Sequence, residues 1–429
     1  MNIKQLPEHF LQYVWQQQRF DFRELTTSEG EKVTILSAGT ANSNSGADFL
    51  LAKIYLNDLL WVGDVEIHWQ ASEWYAHQHD KNPAYNSVIL HVVGQNDRVT
   101  YNQKGEKIPT LVISPAQIEA NLLSKYAYLS AQKQFIPCYN HFAHYAGQVM
   151  GDFFPVLITQ RLQAKSRMIL TELETTKNDW AQVLYQQLAL FLGANINGEA
   201  MLALAKSLPF SLLQKYKTNL QQLEALLLGQ AGLLGLDTDN LYLQKLINEY
   251  NFLSQKHSLS PLSANIWKFS RMRPANFPTV RIAQLAQLIF QTEHLWASLL
   301  AIDDWREYQN FFSVQLHHFW DNRYTLEKTT TVSPKRMGKT AVDNLLINTV
   351  APLLYACGEA MQSPIYKQKS IELLNNLPAE ENKTIDEWIK LGLNPINANQ
   401  TQALLQLKKG YCEQLNCVNC PVGKRFLSE

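Results

Sequence analysis

The spacing of apolar residues changes near residue 115. Before it they alternate with polar residues or gather in short blocks; after it they recur every three or four residues, the respective signatures of strand and helix. The opening is an exception: residues 3–20 set Leu6, Phe10, Tyr13, Val14 and Phe20 near helical spacing and predict an amphipathic helix. Strands are then expected at 23–25 and 33–36 around a Ser28-Glu29-Gly30-Glu31 turn, and a polar loop, 39–46, delivers the chain to Asp48. Segments 50–56 and 59–67, joined by Asn57-Asp58, predict a hairpin. A polar, aromatic connector (72–86) leads to 88–93, a near-continuous apolar run expected of a strand buried on both faces. A last hairpin is expected to turn at Asn102-Gln103-Lys104-Gly105.

Beyond Pro115, helices are predicted over 153–174, 178–192, 198–207, 210–229, 240–254, 279–300, 341–361, 365–376, 383–391 and 397–409. The long Thr/Lys/Arg-rich loop at 321–340 has the length of a lid or binding segment. No fixed period repeats, so the pattern does not support a solenoid. The pattern therefore predicts an α+β protein: a mixed β-sheet domain over residues 1–115, then a large all-α domain over 116–429.

Composition changes this picture little. With 46% hydrophobic and 18% charged residues the chain reads as globular, and a net charge of zero advertises no nucleic-acid or anionic-membrane partner. Residues 1–115 hold 13 acids against 9 bases, so the sheet domain is the acidic part. No apolar run reaches the length of a membrane span, and the N-terminus lacks the pattern of a signal peptide. Five cysteines, three of them crowded at the C-terminus, do not form a secreted disulfide framework. These features point to a cytoplasmic protein.

Candidate chemistry concentrates in Gly46-Ala47-Asp48-Phe49 and Gly63-Asp64-Val65-Glu66-Ile67-His68. Alternation along a strand places Asp64, Glu66 and His68 on one face, expected to meet water or a ligand, with Val65 and Ile67 in the core. Asp48 and Glu66, on adjacent strands, suit a hard cation such as Mg²⁺ or Mn²⁺. Four of the eleven histidines (His68, His77, His79 and His91) fall within 24 residues, among Asp64, Glu66, Glu73 and Asp80. His68, His77 and His79 extend the candidate ligand set toward Zn²⁺, Mn²⁺ or Fe²⁺, whereas His91, inside an apolar strand, suits the core. The same residues would also serve as the solvated face of an amphipathic strand.

A second constellation, Cys412-x4-Cys417-x2-Cys420-Pro421, needs one more ligand, for which Cys138 is the candidate and His141 the local alternative. The spacing is one used for iron–sulfur clusters, and zinc takes four cysteines equally well; a 4Fe–4S cluster and zinc both remain open. Cys357, on an apolar helical run, reads as a buried hydrophobe. Third, Arg271, Arg273 and Arg281 flank a Pro/Asn loop entering a helix, where they suit phosphate binding or a domain interface. Lys335, Arg336 and Lys339 are further candidate backbone contacts.

The order of acids and strands resembles the core of the PD-(D/E)XK nuclease superfamily, in which an acid on one strand and acid-x-lysine on the next bind metal. Asp48 and Glu66 match the two acids and Ile67 the apolar spacer, while His68 stands in place of the lysine. Taken together, Gly-Ala-Asp-Phe, Gly-Asp-Val-Glu-Ile-His, Val-Ile-Leu-His-Val-Val, Arg-Pro-Ala-Asn-Phe-Pro and the terminal cysteines resemble a bacterial family, domain of unknown function 2851. The first resemblance implies a metal-dependent nuclease-like protein acting on DNA or RNA, with Asp48, Glu66 and His68 catalytic and Asp64 assisting. The alternatives are a non-catalytic binding or scaffold protein on a degenerate nuclease fold, and a metal-dependent hydrolase of a small substrate that uses the histidines.

Overall fold

In a computed structural model, which describes residues 6–42, 45–235, 237–333 and 335–429, the alternating N-terminal segments form one mixed sheet. Its strands are β1 (Leu25–Thr26), β2 (Lys32–Ser37), β3 (Thr40–Ala41), β4 (Phe49–Leu56), β5 (Leu59–Gln70), β6 (Val88–Gln95) and β7 (Thr110–Val112). They pair in the order β1-β2-β4-β5-β6-β7, with β3 also on β4. Pairings up to β5 are antiparallel; β6 runs parallel to both β5 and β7. An antiparallel bridge from Thr27 to Leu111 brings the chain after β1 onto β7, and the Ser28 N–H donates to the Thr110 carbonyl at 2.8 Å. The sheet thereby curls until it is nearly a barrel.

The predicted hairpin forms as β4 and β5, and β6 is buried from Val88 to Gly94, as the unbroken apolar run requires. The last predicted hairpin turns where expected, with the Gly105 N–H on the Asn102 carbonyl at 3.0 Å, but it is short. Tyr101 and Lys107 form a single bridge around the turn, and β7 then joins β6 in parallel. The register of β4 on β5 slips between Phe49 and Ala52, where Leu51 adopts φ 56°. This bulge decides which residues of β4 face the interior.

The chain divides into two compact units, Met1–Phe154 with Glu387–Leu393 and Leu404–Glu429, and Pro155–Asp386 with Asn394–Ala403. Besides the sheet, the first unit contains α1 (Glu8–Gln16), α2 (Glu73–Ala76), α3 (Ala120–Ala131), the start of α4 (Tyr139–Thr175) and the C-terminal helix Pro421–Ser428. The opening helix is shorter than its hydrophobic pattern; residues 3–5 of that expectation lie outside the described residues.

The second unit is helical around a leucine-rich core. The helix expected over 210–229 is two, Phe210–Lys215 and Leu220–Gln230, because Asn219 caps a fresh start by accepting from the Gln221 and Gln222 N–H groups. The one expected over 341–361 passes through a π-turn at Leu346–Val350 just ahead of Pro352, whose missing N–H cannot continue an α ladder. The long loop is pinned: Gln284 donates to the Lys335 carbonyl, and Lys335 itself is buried with its ammonium on the Asp321 and Ser333 carbonyls. That burial takes Lys335 out of the candidate backbone contacts.

Candidate metal centre

The site is built on the second half of β5. Of the two expectations for this face, water or a ligand, burial removes the first: Val65 and Ile67 are fully buried on one side, and on the other Glu66 is only 5% exposed and His68 1%. Burying a carboxylate and an imidazole is costly unless polar partners accompany them. Those partners come from α1, from the turn into β4, from α2 and the short 3₁₀ turns after it, and from β6.

Extending the Phe49–Val65 pairing by one residue sets Asp48 opposite Glu66. The two are cross-linked: the Asp48 N–H donates to Glu66 Oε2 at 3.0 Å, and the Ile67 N–H donates to Asp48 Oδ2 at 2.9 Å. Gly46, at φ 109°, makes the turn that delivers Asp48, in a region where a side chain would be strained. From α1, Gln12 Nε2 donates both to Asp48 Oδ1 at 3.0 Å and to Glu8 Oε1 at 3.1 Å. Glu8 lies near enough to Asp48, Glu66 and Glu73 for their charges to act on it.

These acids sit close enough to repel one another. Burial, reinforced by the charges of Asp48, Glu66 and Glu73, pushes Glu8 up to about 7. Burial and then Glu66 push Asp48 up to about 7, against the Ile67 N–H, Gln12 and His79. Glu66 is pushed up to about 7 by burial, against the Asp48 N–H. Among the described residues no lysine or arginine acts on these three acids, and His79 is the one basic side chain that acts on Asp48. A buried set of acids without a lysine or arginine is an environment suited to a cation.

The histidines line the same space. His68 Nε2 lies 3.2 Å from His77 Nδ1 and 3.6 Å from Glu66 Oε1, and His79 Nε2 lies 3.1 Å from the same oxygen. Ligand atoms of His68, His77 and His79 all fall within 4.8 Å of one another, the one such group of three among the described residues. Two nitrogens on one ion at about 2.1 Å stand about 3.0–3.4 Å apart, from octahedral to tetrahedral angles. The His68–His77 spacing falls in that range. His79 Nε2 is buried and makes no hydrogen bond, although Glu66 Oε1 is near.

The rings are held from behind. His68 Nδ1 hydrogen-bonds His91 Nε2 at 2.9 Å, and His91 Nδ1 meets Thr100 Oγ1 at 3.4 Å. With His91 donating to Thr100, its Nε2 accepts from His68, which leaves the His68 Nε2 lone pair facing the site. His79 stacks on Tyr85 at 3.8 Å, and the fully buried Trp74 packs its edge or face on His79 and His91. Burial, then the neighbouring imidazoles, drives His68 down to about 2, and burial drives His91 down to about 3, so both rings are neutral. The core role expected of His91 is accompanied by a second one, orienting His68.

The remaining candidates lie elsewhere. Asp64 uses its oxygens on the Leu51 N–H (3.0 Å) and the Ser87 hydroxyl (2.6 Å), clamping the β4 bulge. Asp64→Ala is therefore expected to leave metal content unchanged while costing about 1–2 kcal/mol of stability, read from metal analysis beside chemical denaturation. Arg271, Arg273 and Arg281 belong to the second unit. Arg271 and Arg273 are exposed, and Arg281, in the helix Pro278–Gln291, donates to Gln284 of the same helix at 2.8 Å and to Asn276 just before it at 2.6 Å. Cys138 precedes α4, while Cys412, Cys417 and Cys420 precede the C-terminal helix; all are free thiols. Glu8 and Gln12 escaped the sequence reading. Their one signal is the four-residue spacing, which puts them on one face of α1 but does not say what that face meets.

The sequence model of the family described as protein of unknown function (DUF2851) matches residues 8–383. The chain belongs to this family. The matched stretch begins at Glu8 and contains every member of the histidine–carboxylate site, and it stops short of Cys412. No curated protein and no solved structure matches the chain.

Proposed function

We propose that the protein is a metal-dependent hydrolase whose ion is held by His68, His77, His79 and Glu66. The observation that carries this reading is the buried, unbonded His79 Nε2 beside Glu66 Oε1, where the His68 and His77 nitrogens also converge. Three imidazoles and a carboxylate suit Zn²⁺, Mn²⁺ or Fe²⁺. Such an ion supplies an acidified water as nucleophile. Asp48 and Glu8, raised to about 7, have the affinity that suits a general base near neutral pH. The exposed His77 marks the side from which substrate enters.

A second reading, a nuclease-like protein holding Mg²⁺ or Mn²⁺ between Asp48 and Glu66 and cutting DNA or RNA, is favoured by the pairing of those acids across β4 and β5. One screen separates the two. The purified chain is analysed for bound metal, then assayed on plasmid, single strands and small phosphoesters with each metal. Cleavage of nucleic acid that needs Asp48 and Glu66 but survives His79→Ala selects the nuclease. Hydrolysis lost in His79→Ala, together with the bound ion, selects the histidine centre. Equal background in wild type and Glu66→Ala with every metal would sink both.

A further inference from the structure

The first unit holds a second group of metal-type side chains that the histidine centre does not use. We propose that Cys138, Cys412, Cys417 and Cys420 together hold an iron–sulfur cluster that ties the C-terminal segment to the start of α4.

Contacts independent of the cysteines bring the two segments together. The Tyr126 hydroxyl on α3 donates to the Leu415 carbonyl at 2.9 Å, and His9 Nε2 lies 3.2 Å from the same oxygen. Leu415, at φ 52°, is the turning point between Cys412 and Cys417. Phe426 of the C-terminal helix packs on His141, three residues past Cys138, with ring centres 4.7 Å apart, and on Tyr128. The Tyr145 hydroxyl donates to Glu429 at 2.5 Å, and Arg19 to the Leu427 carbonyl at 3.1 Å. A Cβ on Gly423 would stand 2.2 Å from the Cys417 carbonyl oxygen, so only glycine lets the helix press against the cysteine turn.

Within this packing, every pair among the four sulfurs is close enough for a charge on one to act on the other. The Val422 and Gly423 amides reach the Cys420 sulfur from the first turn of the helix, the kind of hydrogen bond that tunes cluster thiolates. A single zinc, with Zn–S at about 2.3 Å, would hold sulfurs about 3.8 Å apart. Among the described residues no three of these sulfurs fall within 4.8 Å of one another. These sulfurs are thus spaced more widely than the ligands of one ion, and a polynuclear cluster bridges wider spacings with its own metal–sulfide bonds. The C-x4-C-x2-C spacing with a remote fourth cysteine agrees. Cys357 lies in the second unit and donates to Met361 Sδ at 3.7 Å, which makes it the internal control.

The test uses the full chain purified without oxygen, with iron, acid-labile sulfide and zinc measured beside the visible spectrum. A brown protein with iron and sulfide in equal amounts is expected. Cys138→Ser and Cys417→Ser should lose the visible band and the iron, and Cys357→Ser should keep both. These two positions are buried, so Cys412→Ser at the half-exposed position is a second variant, and the sulfide content of the wild type stands without any variant. Stoichiometric zinc without sulfide overturns the proposal, as does failure to take up iron and sulfide on reconstitution, or a cluster retained in all three ligand variants. His79→Ala should leave sulfide unchanged, which keeps this result separate from that of the hydrolase reading.

Discussion

Glu66→Gln is expected to abolish metal-dependent hydrolysis and, in the metal-free protein, to increase stability above neutral pH. The two effects share one cause. Glu66 is buried among like charges with its carboxyl raised from 4.5 to about 7. The folded state therefore holds the proton more tightly than the unfolded chain does. Its contribution to stability is fully present below 4.5, is lost as the pH rises through 7, and stays lost above. Glutamine is neutral throughout and keeps an oxygen for the Asp48 N–H. In chelator its advantage should vanish at about pH 4 and reach the order of 3 kcal/mol at about pH 8. With metal the sign reverses, because the charge that destabilised the empty site becomes a ligand. Loss of an outer partner already costs about 10–100-fold, so loss of the ligand itself should cost at least about 100-fold in kcat/KM. Thermal melts at the two pH values, with and without metal, check both halves. A variant no more stable than wild type at high pH in chelator would show that the carboxylate carries no such penalty.

His91→Leu carries the second large effect, although His91 is placed to touch neither metal nor substrate. Leucine fills a similar volume in the middle of β6 but leaves His68 Nδ1 without a partner in a dry interior. The expected cost is about 1–3 kcal/mol of stability and about 10–100-fold in metal affinity, read by denaturation and by competition with a chelating dye. His91→Gln keeps an acceptor for the His68 proton and should recover most of the affinity, which a purely volumetric role would not predict. The acid limb should change too. His68 and His91 are both depressed far below 6.5, so each contributes stability above 6.5 that is lost as the pH falls toward the folded values. Removing His91 removes one of these protons, and the acid transition should become shallower.

Much of this site was legible along the strand. Alternation placed Glu66 and His68 together, and the acid before β4 pointed to Asp48, because strand geometry fixes which neighbours share a face. The depth of the site was not legible. A polar face on a strand reads as solvated, and only the cover supplied by α1 and the 73–85 connector buries it. Glu8 and Gln12 were hidden for the same reason, since helical spacing defines a face but not the surface it meets. Asp64 shared the face of Glu66 by count. The bulge at Leu51 instead gave its oxygens a structural task, and bulges leave little trace in residue pattern. The α+β class followed from periodicity. The parallel joining of β7 did not, because the turn at 102–105 carries ordinary hairpin residues.

The bridge between Thr27 and Leu111 bears on a hazard common to sheet proteins. An open sheet ends in rows of unpaired N–H and C=O groups that invite a strand from another molecule. Here the outermost strands of the path lean on each other, and the hairpin can display Leu51, Leu59 and Val62 to solvent without a long free edge beside them. Loosening that seam at Thr27 or Ser28 would expose both margins at once. The consequence to look for is self-association of the chain, ahead of any loss of the histidine centre.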